Sequence, residues 1–252
     1  MYRFLVVASC LLQSIVALAQ GQVDSLPKAL TRHEHTIGGI LYTNGWGVGY
    51  SYGKMNKAKL KTLYSADFAI VHDPKEIKTT NPASSENNRF VYGKTNFLLN
   101  LHFTYGKLYR IYEKKDVGGI EIRFFYRIGP SFGIQKPIYY RFNIDGDESV
   151  EKFTNATHQS IGNIEGKASF FKGFDEINVI PGIHTKIGVS FEFGKQDLVI
   201  NAIEGGVSVD VFPKRIELMA NDFNQYVFSS LYLTLRFGKI INPRIKKIKA
   251  KQ

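Results

Sequence analysis

Alternation of apolar and polar side chains with a period of two residues, repeated along most of the chain, limits this sequence to strands more firmly than any other feature. Successive side chains of a strand point to opposite faces, and no comparable 3.6-residue period runs through the chain. From 118 to 129 the even positions Ile120, Ile122, Phe124, Tyr126 and Ile128 oppose Glu121, Arg123, Phe125 and Arg127. From 95 to 106 Phe97, Leu99, Leu101, Phe103 and Tyr105 oppose Asn96, Asn100, His102 and Thr104. The same rule holds at 60–70, 178–194, 199–211 and 229–237, while Asn44-Gly45 between two strand-like runs marks a hairpin, since both turn residues must accept positive φ. These segments predict eight strands at about 35–43, 46–54, 58–72, 94–109, 118–136, 177–194, 198–212 and 225–237. Pro130 inside the fifth requires a bulge or a place at the membrane rim, because it has no N–H to give to a ladder.

The connections alternate in length, short around Met55, Lys114 and Gln196 and long at 73–93, 137–176 and 213–224. Short turns at one end and long loops at the other describe an all-β, transmembrane antiparallel up-and-down β-barrel, with the short turns periplasmic. A soluble barrel alternates too, with its apolar face inside. Here Gly, Ser and Thr crowd the polar face, as a narrow closed interior demands. Large aromatics such as Tyr50, Tyr52, Tyr64, Phe97, Phe103, Tyr105, Phe191 and Phe193 populate the apolar one, which favours lipid outside. Beyond the first residues no stretch approaches the roughly 20 apolar residues of a spanning helix, so strands are the remaining way to cross a membrane.

Residues 1–19 read as a signal peptide: Arg3 precedes an apolar run from Phe4 to Leu18, and Ala17-Leu18-Ala19 offers a small-x-small cleavage pattern. Val7-Ala8-Ser9-Cys10 has the form of an acylation box, but too few apolar residues precede Cys10. Cys10 is the only cysteine, so neither a disulfide nor a thiolate metal site holds the exported fold. The expected organisation is a periplasmic N-terminal segment at 20–34, an outer-membrane barrel at 35–237 and a basic tail at 238–252, with both termini periplasmic. The tail, with Lys239, Arg244, Lys246, Lys247, Lys249 and Lys251, carries a large part of the formal charge of +11. After export, anionic lipid headgroups or a periplasmic partner fit it better than nucleic acid, and a solvated unstructured end fits it better still.

Residues spread over the expected mature sequence give the chain a family likeness: Thr43-Asn44-Gly45-Trp46-Gly47, His72-Asp73-Pro74-Lys75-Glu76, Tyr92-Gly93-Lys94-Thr95-Asn96, Lys136-Pro137 and Leu231-Tyr232-Leu233-Thr234-Leu235-Arg236-Phe237. In these the chain resembles the outer-membrane β-barrel proteins common in Bacteroidota, largely without assigned activity. The resemblance implies a place in the cell outer membrane, lipid as surroundings and a closing strand read by the barrel assembly machinery, here from an internal position.

The predicted interior sets Lys61, Arg123, Arg127, Lys186 and Arg236 against Asp67, Glu121, Glu192, Glu204 and Asp210. Equal numbers of each sign in a barrel wide enough only for side chains predict a salt-bridged plug. The expected role is structural or interaction-based, with an extracellular or periplasmic protein partner; the alternatives are a narrow channel for small solutes, a secretion or assembly accessory barrel, and a lipid-A-modifying enzyme. For the enzyme, His72, His158 and Ser160 are rim candidates, but spacing assembles no triad, and no catalytic residue is assigned. His102 and His184 stand singly at their strand positions and read as satisfied interior histidines. His33 and His35, flanking Glu34, are too few for a structural zinc site. The acidic turn around Gly146 lacks the calcium-loop spacing. No metal and no cofactor is assigned.

Overall fold

The computed structural model describes residues 33–57, 59–82, 88–114, 119–144, 146–154, 161–193, 199–220 and 224–241. The expected leader, the segment up to residue 32, most of the basic tail, His158 and Ser160 lie outside these described residues. The described residues form thirteen strands: β1 His33–Tyr42, β2 Gly45–Lys57, β3 Leu60–Val71, β4 Lys78–Thr80, β5 Arg89–Val91, β6 Asn96–Tyr112, β7 Ile120–Pro137, β8 Tyr139–Ile144, β9 Asp147–Lys152, β10 Ile164–Lys167, β11 Asn178–Phe193, β12 Val199–Ile216 and β13 Gln225–Ile241.

Eight of them close an antiparallel barrel in the order β1-β13-β12-β11-β7-β6-β3-β2. Every neighbour in the ring is a chain neighbour among the long strands except at the seam, where β1 pairs with β13 from His33↔Ile241 to Tyr42↔Tyr232. This is the expected eight-stranded up-and-down ring, and the expected face assignment holds on the six strands for which alternation was read, β3, β6, β7, β11, β12 and β13. On β7, Ile120, Phe124, Tyr126 and Ile128 are exposed while Glu121, Arg123, Phe125 and Arg127 are buried. The strands are longer than expected at several ends: β1 begins at His33, β6 runs to Tyr112 and β13 to Ile241. Most of the extensions lie at the short-turn end, beyond the reach of the apolar alternation, while β12 continues to Ile216 into the long 213–224 connection.

Two expectations are corrected. The β6–β7 register carries no bulge at Pro130: pairing runs to His102↔Ser131 and resumes in the same register at Tyr105↔Ile128. Two residue pairs simply drop out of the ladder opposite Pro130 and Gly129, well inside the strand and away from either rim. A β-carbon on Gly129 would fall 2.0 Å from the Phe103 carbonyl oxygen, so the position takes only glycine. The long connections are, moreover, not plain loops. They hold a two-stranded β4-β5 ribbon and a three-stranded β10-β8-β9 sheet over the long-loop end of the barrel.

That cap has a core of its own in Phe90, Tyr140, Phe142, Phe153 and Ile164. The Tyr140 hydroxyl lies 2.9 and 2.8 Å from the carbonyl oxygens of Val91 and Lys94, and burial pushes its phenol above the ordinary tyrosine range. Asn81 spends both amide hydrogens on the carbonyls of Gly162 and Ile164, at 2.8 and 2.9 Å, tying the β4 end to β10. Below the cap a second apolar cluster, with Val71, Val91, Leu98, Ile180, Phe212, Ile216 and Phe228, fills the long-loop end of the lumen.

The charged barrel interior as candidate functional site

Inward parity on five strands, β3, β7, β11, β12 and β13, carries the ten expected charged residues into the lumen, and all ten are buried. They form groups at successive positions along the strands. Toward the short-turn end, Arg123 on β7 sits 3.4 Å from Glu34 Oε2 of β1 and 2.8 Å from Glu192 Oε2 of β11, and donates to Ser190 Oγ at 3.2 Å. Lys61 on β3 pairs with the other Glu34 oxygen. Arg110 Nε approaches Glu121 at 3.1 Å, and Lys114 approaches Glu192 at 3.5 Å.

Farther along, Glu204 on β12 receives Arg236 Nε at 2.6 Å and Arg127 Nη2 at 3.4 Å. Arg127 also donates to Ser65 Oγ at 2.8 Å, and Ser65 in turn to Ser51 Oγ at 2.9 Å. Lys186 lies 3.5 Å from Asp67 and 4.1 Å from the centre of the Tyr232 ring, so its charge is shared between a carboxylate and an aromatic face. Tyr232 reaches across the lumen to donate to the Ile187 carbonyl at 3.3 Å, in a space opened by Gly188, whose β-carbon would fall 2.2 Å from that hydroxyl.

Glu34 and Arg110 belong to this network, and expected strand ends that stopped at 35 and 109 left both outside it. The signal was present, since both continue the inward parity of β1 and β6. Glu34 and Arg110 add one acid and one base to the balanced ten, and Lys114 approaches Glu192 from the rim. Near-balance with direct pairing is what makes burial of so many charges tolerable in a medium where one unpaired ion costs several kcal/mol.

The two interior histidines do not stand alone. Their rings stack with centroids 3.8 Å apart and planes 16° off parallel. Asp210 Oδ1 is hydrogen-bonded to His184 Nδ1 at 2.9 Å and lies 3.0 Å from His102 Nε2. Their strands, β6 and β11, are separated in the ring by β7, which presents Gly129 opposite His184 and so puts no side chain between the imidazoles. The three ligand-type atoms lie within 4.8 Å of one another, and Asp210 is already hydrogen-bonded to His184. Three donors are also one fewer than a closed structural zinc site uses. His33 and His35 point outward instead. His35 Nδ1 meets Tyr50 Oη at 2.5 Å, and its ring lies 4.8 Å from that of Tyr52.

The arrangement leaves little free space between these side chains. Among the described residues, the lumenal cavity between Glu34, Arg123, Glu204 and Arg236 has a volume of about 20 Å³, room for a single water. Above it lie the Tyr232 ring, the histidine pair and the apolar cluster beneath the cap.

No family model matches the sequence, and no curated protein matches it. Among solved structures the chain is similar to Ail, the attachment invasion locus protein of Yersinia pestis, at 9% identity over 84% of this chain and 97% of that one, with a TM-score of 0.39. It is also similar to a major outer membrane protein from Thermus thermophilus, at 10% identity over 84% and 99%, TM-score 0.44. The N-terminal β-barrel domain of Pseudomonas aeruginosa OprF aligns at 11% identity over 83% and 97%, TM-score 0.34.

Proposed function

We propose that this chain is an integral barrel of a bacterial outer membrane with a structural or interaction role, closed to solutes by its own side chains. One observation carries the reading, namely how charge is sorted across the barrel wall. Outward positions between Ile37 and Leu41, Trp46 and Tyr52, Tyr64 and Ile70, Phe97 and Tyr105, and Ile122 and Ile134 include no Asp, Glu, Lys or Arg. The same is true between Val179 and Phe193, Ile203 and Val211, and Val227 and Phe237. Charged outward side chains return only at the margin, as at Lys54, Lys107 and Lys239. A transmembrane barrel has an apolar band about 25 Å tall with a polar interior, and a soluble barrel has the reverse. A soluble monomer rarely exposes a contiguous apolar patch above about 300–600 Å²; this belt runs around the whole circumference.

In this reading the short turns and both chain termini face the periplasm, the cap faces outward and offers the surface on which an extracellular partner docks, and the closing strand β13, which carries Phe237, is the one the assembly machinery reads. Single-channel recording on the signal-free protein refolded into a planar bilayer tests the closed lumen, with a heat-modifiable gel shift to show that the barrel has formed. A shifted band with no conductance is expected. Reproducible conductance that disappears on substituting Arg123 or Arg127 would make the protein a channel.

A further inference from the structure

The segment Ser169-Phe170-Phe171-Lys172-Gly173-Phe174 sits between β10 and β11, on the outside of the long-loop end, and its three phenylalanines have no cover. Phe171 is 80% exposed, Phe170 58% and Phe174 46%. They are not a floppy fringe. The rings pack on one another with centroids 5.6 to 6.1 Å apart. The backbone is turned by the Lys172 amide donating to the Ser169 carbonyl at 3.1 Å and by Gly173 at φ +85°, a conformation that disfavours a side chain. A β-carbon at Gly173 would also come within 3.0 Å of the Tyr139 ring. Beyond the turn, Glu176 accepts from the Tyr139 hydroxyl at 2.8 Å and pairs with Lys152, which staples the segment to the β8–β9 ribbon.

The array continues the barrel's outer wall. Phe97 and Lys136 are register partners on β6 and β7 and both have outward parity. Phe170 packs edge-on against Phe97, centroids 6.3 Å apart. The Lys136 ammonium lies 4.8 Å from the Phe170 ring centre and 5.2 Å from that of Phe174, which leaves the lysine only 6% exposed at a position that otherwise faces the apolar belt. From Phe97 to Tyr105 the outward side of β6 is apolar, a length that at about 3.3 Å per residue and 45° tilt spans most of the hydrocarbon thickness. Phe97 therefore marks the upper edge of the belt, and the Phe170 array stands at that edge. Lys172 rides above it, 5.0 Å from the Tyr139 ring, at the level where a cation meets headgroups.

From this continuity we infer that residues 170–174 form a lipid-docking finger, which inserts its three rings among the acyl chains of the outward-facing leaflet beside β6 and β7. The inference rests on the membrane reading of the barrel. Its occupant is the lipid of the membrane in which the barrel sits, because the patch is the same apolar surface carried one step past the strand ends.

Trp46, the single tryptophan, is outward on β2 near the same end and serves as the insertion reference. The native protein and the double variant Phe171→Trp, Trp46→Phe are refolded into phosphatidylcholine–phosphatidylglycerol vesicles whose acyl chains are brominated near the glycerol. If the finger docks on lipid, the variant shows blue-shifted emission and a loss of intensity comparable to that of Trp46. Quenching of Trp46 with red-shifted, unquenched emission from the variant would overturn the inference and leave the barrel reading intact. Blue-shifted but unquenched emission would also overturn it, replacing lipid with a protein cover such as a second copy of the chain. If neither protein is quenched, the membrane reading itself falls and takes the finger with it.

Discussion

His102 and His184 lie ring on ring, 3.8 Å apart, over the gap that Gly129 leaves on the strand between them. Asp210 is hydrogen-bonded to His184 and lies 3.0 Å from His102, so one carboxylate on a third strand serves both rings. Asp210→Ala removes the shared carboxylate and leaves both imidazoles facing an apolar ceiling. Taking one partner from a buried charged cluster costs about 3 to 5 kcal/mol, and a urea titration of the vesicle-folded protein should show a loss of that size. A loss below about 1 kcal/mol, the scale of an exposed pair, would mean the triad contributes little to the fold.

Ile128 is 53% exposed midway along the apolar run of β7. An arginine there faces the middle of the bilayer, and Ile128→Arg should lower stability by about 2 to 4 kcal/mol. Lys107→Arg, at the margin of the belt, should change it by less than about 0.5 kcal/mol. Equal effects at the two sites, read from the same unfolding titration, would contradict the assignment of the outward face.

Tyr232 and Gly188 share one space in the lumen. Gly188→Ala puts a methyl group 2.2 Å from the present position of the tyrosine hydroxyl, and overpacking of this kind costs about 1 to 3 kcal/mol. Tyr232→Phe deletes that oxygen. The double variant should therefore be more stable than the sum of the two single changes, a coupling of about 0.5 to 3 kcal/mol in a double-mutant cycle. Strict additivity would place the strain elsewhere.

Glu176 is held below the ordinary carboxylate range by its hydrogen bond from Lys152 first, and then by that from Tyr139. A depressed folded pKa means that the unfolded carboxylate takes up a proton first. The staple's contribution is accordingly complete above the ordinary carboxylate value and lost as pH falls through the lower folded one. Fluorescence anisotropy of the Phe171→Trp, Trp46→Phe protein should be high and flat at neutral pH and drop only on strong acidification. Adding Glu176→Gln should lower it at neutral pH and remove the acid step.

The barrel was legible because alternation over ten or more residues is hard to produce by accident. One face of β7 reads Ile-Phe-Tyr-Ile and the other Glu-Arg-Phe-Arg, and burial follows that pattern residue by residue. Strand ends were less legible, because alternation fades where the strand leaves the apolar belt; Glu34 and Arg110 were missed for that reason and not for lack of parity. The cap was read as loop because its strands are only three to six residues long, although Tyr140 and Phe142 already alternate with their neighbours. The histidine pair lay beyond spacing rules altogether. Positions 102 and 184 meet through strand order and a glycine on a third strand, neither of which local pattern encodes.

The seam between β1 and β13 joins residues about 200 positions apart, and it is the pairing that leaves no strand edge bare. Until residues 225–241 are in place, His33–Tyr42 and Val199–Ile216 each present an open row of amides and carbonyls. An open edge is a template for the wrong partner, and pairing at such sequence separation is slow. The chain thus has no natural halfway state: a copy halted before its last strand is sticky along two sides at once, and its safe delivery depends on staying unpaired until the last strand can be added.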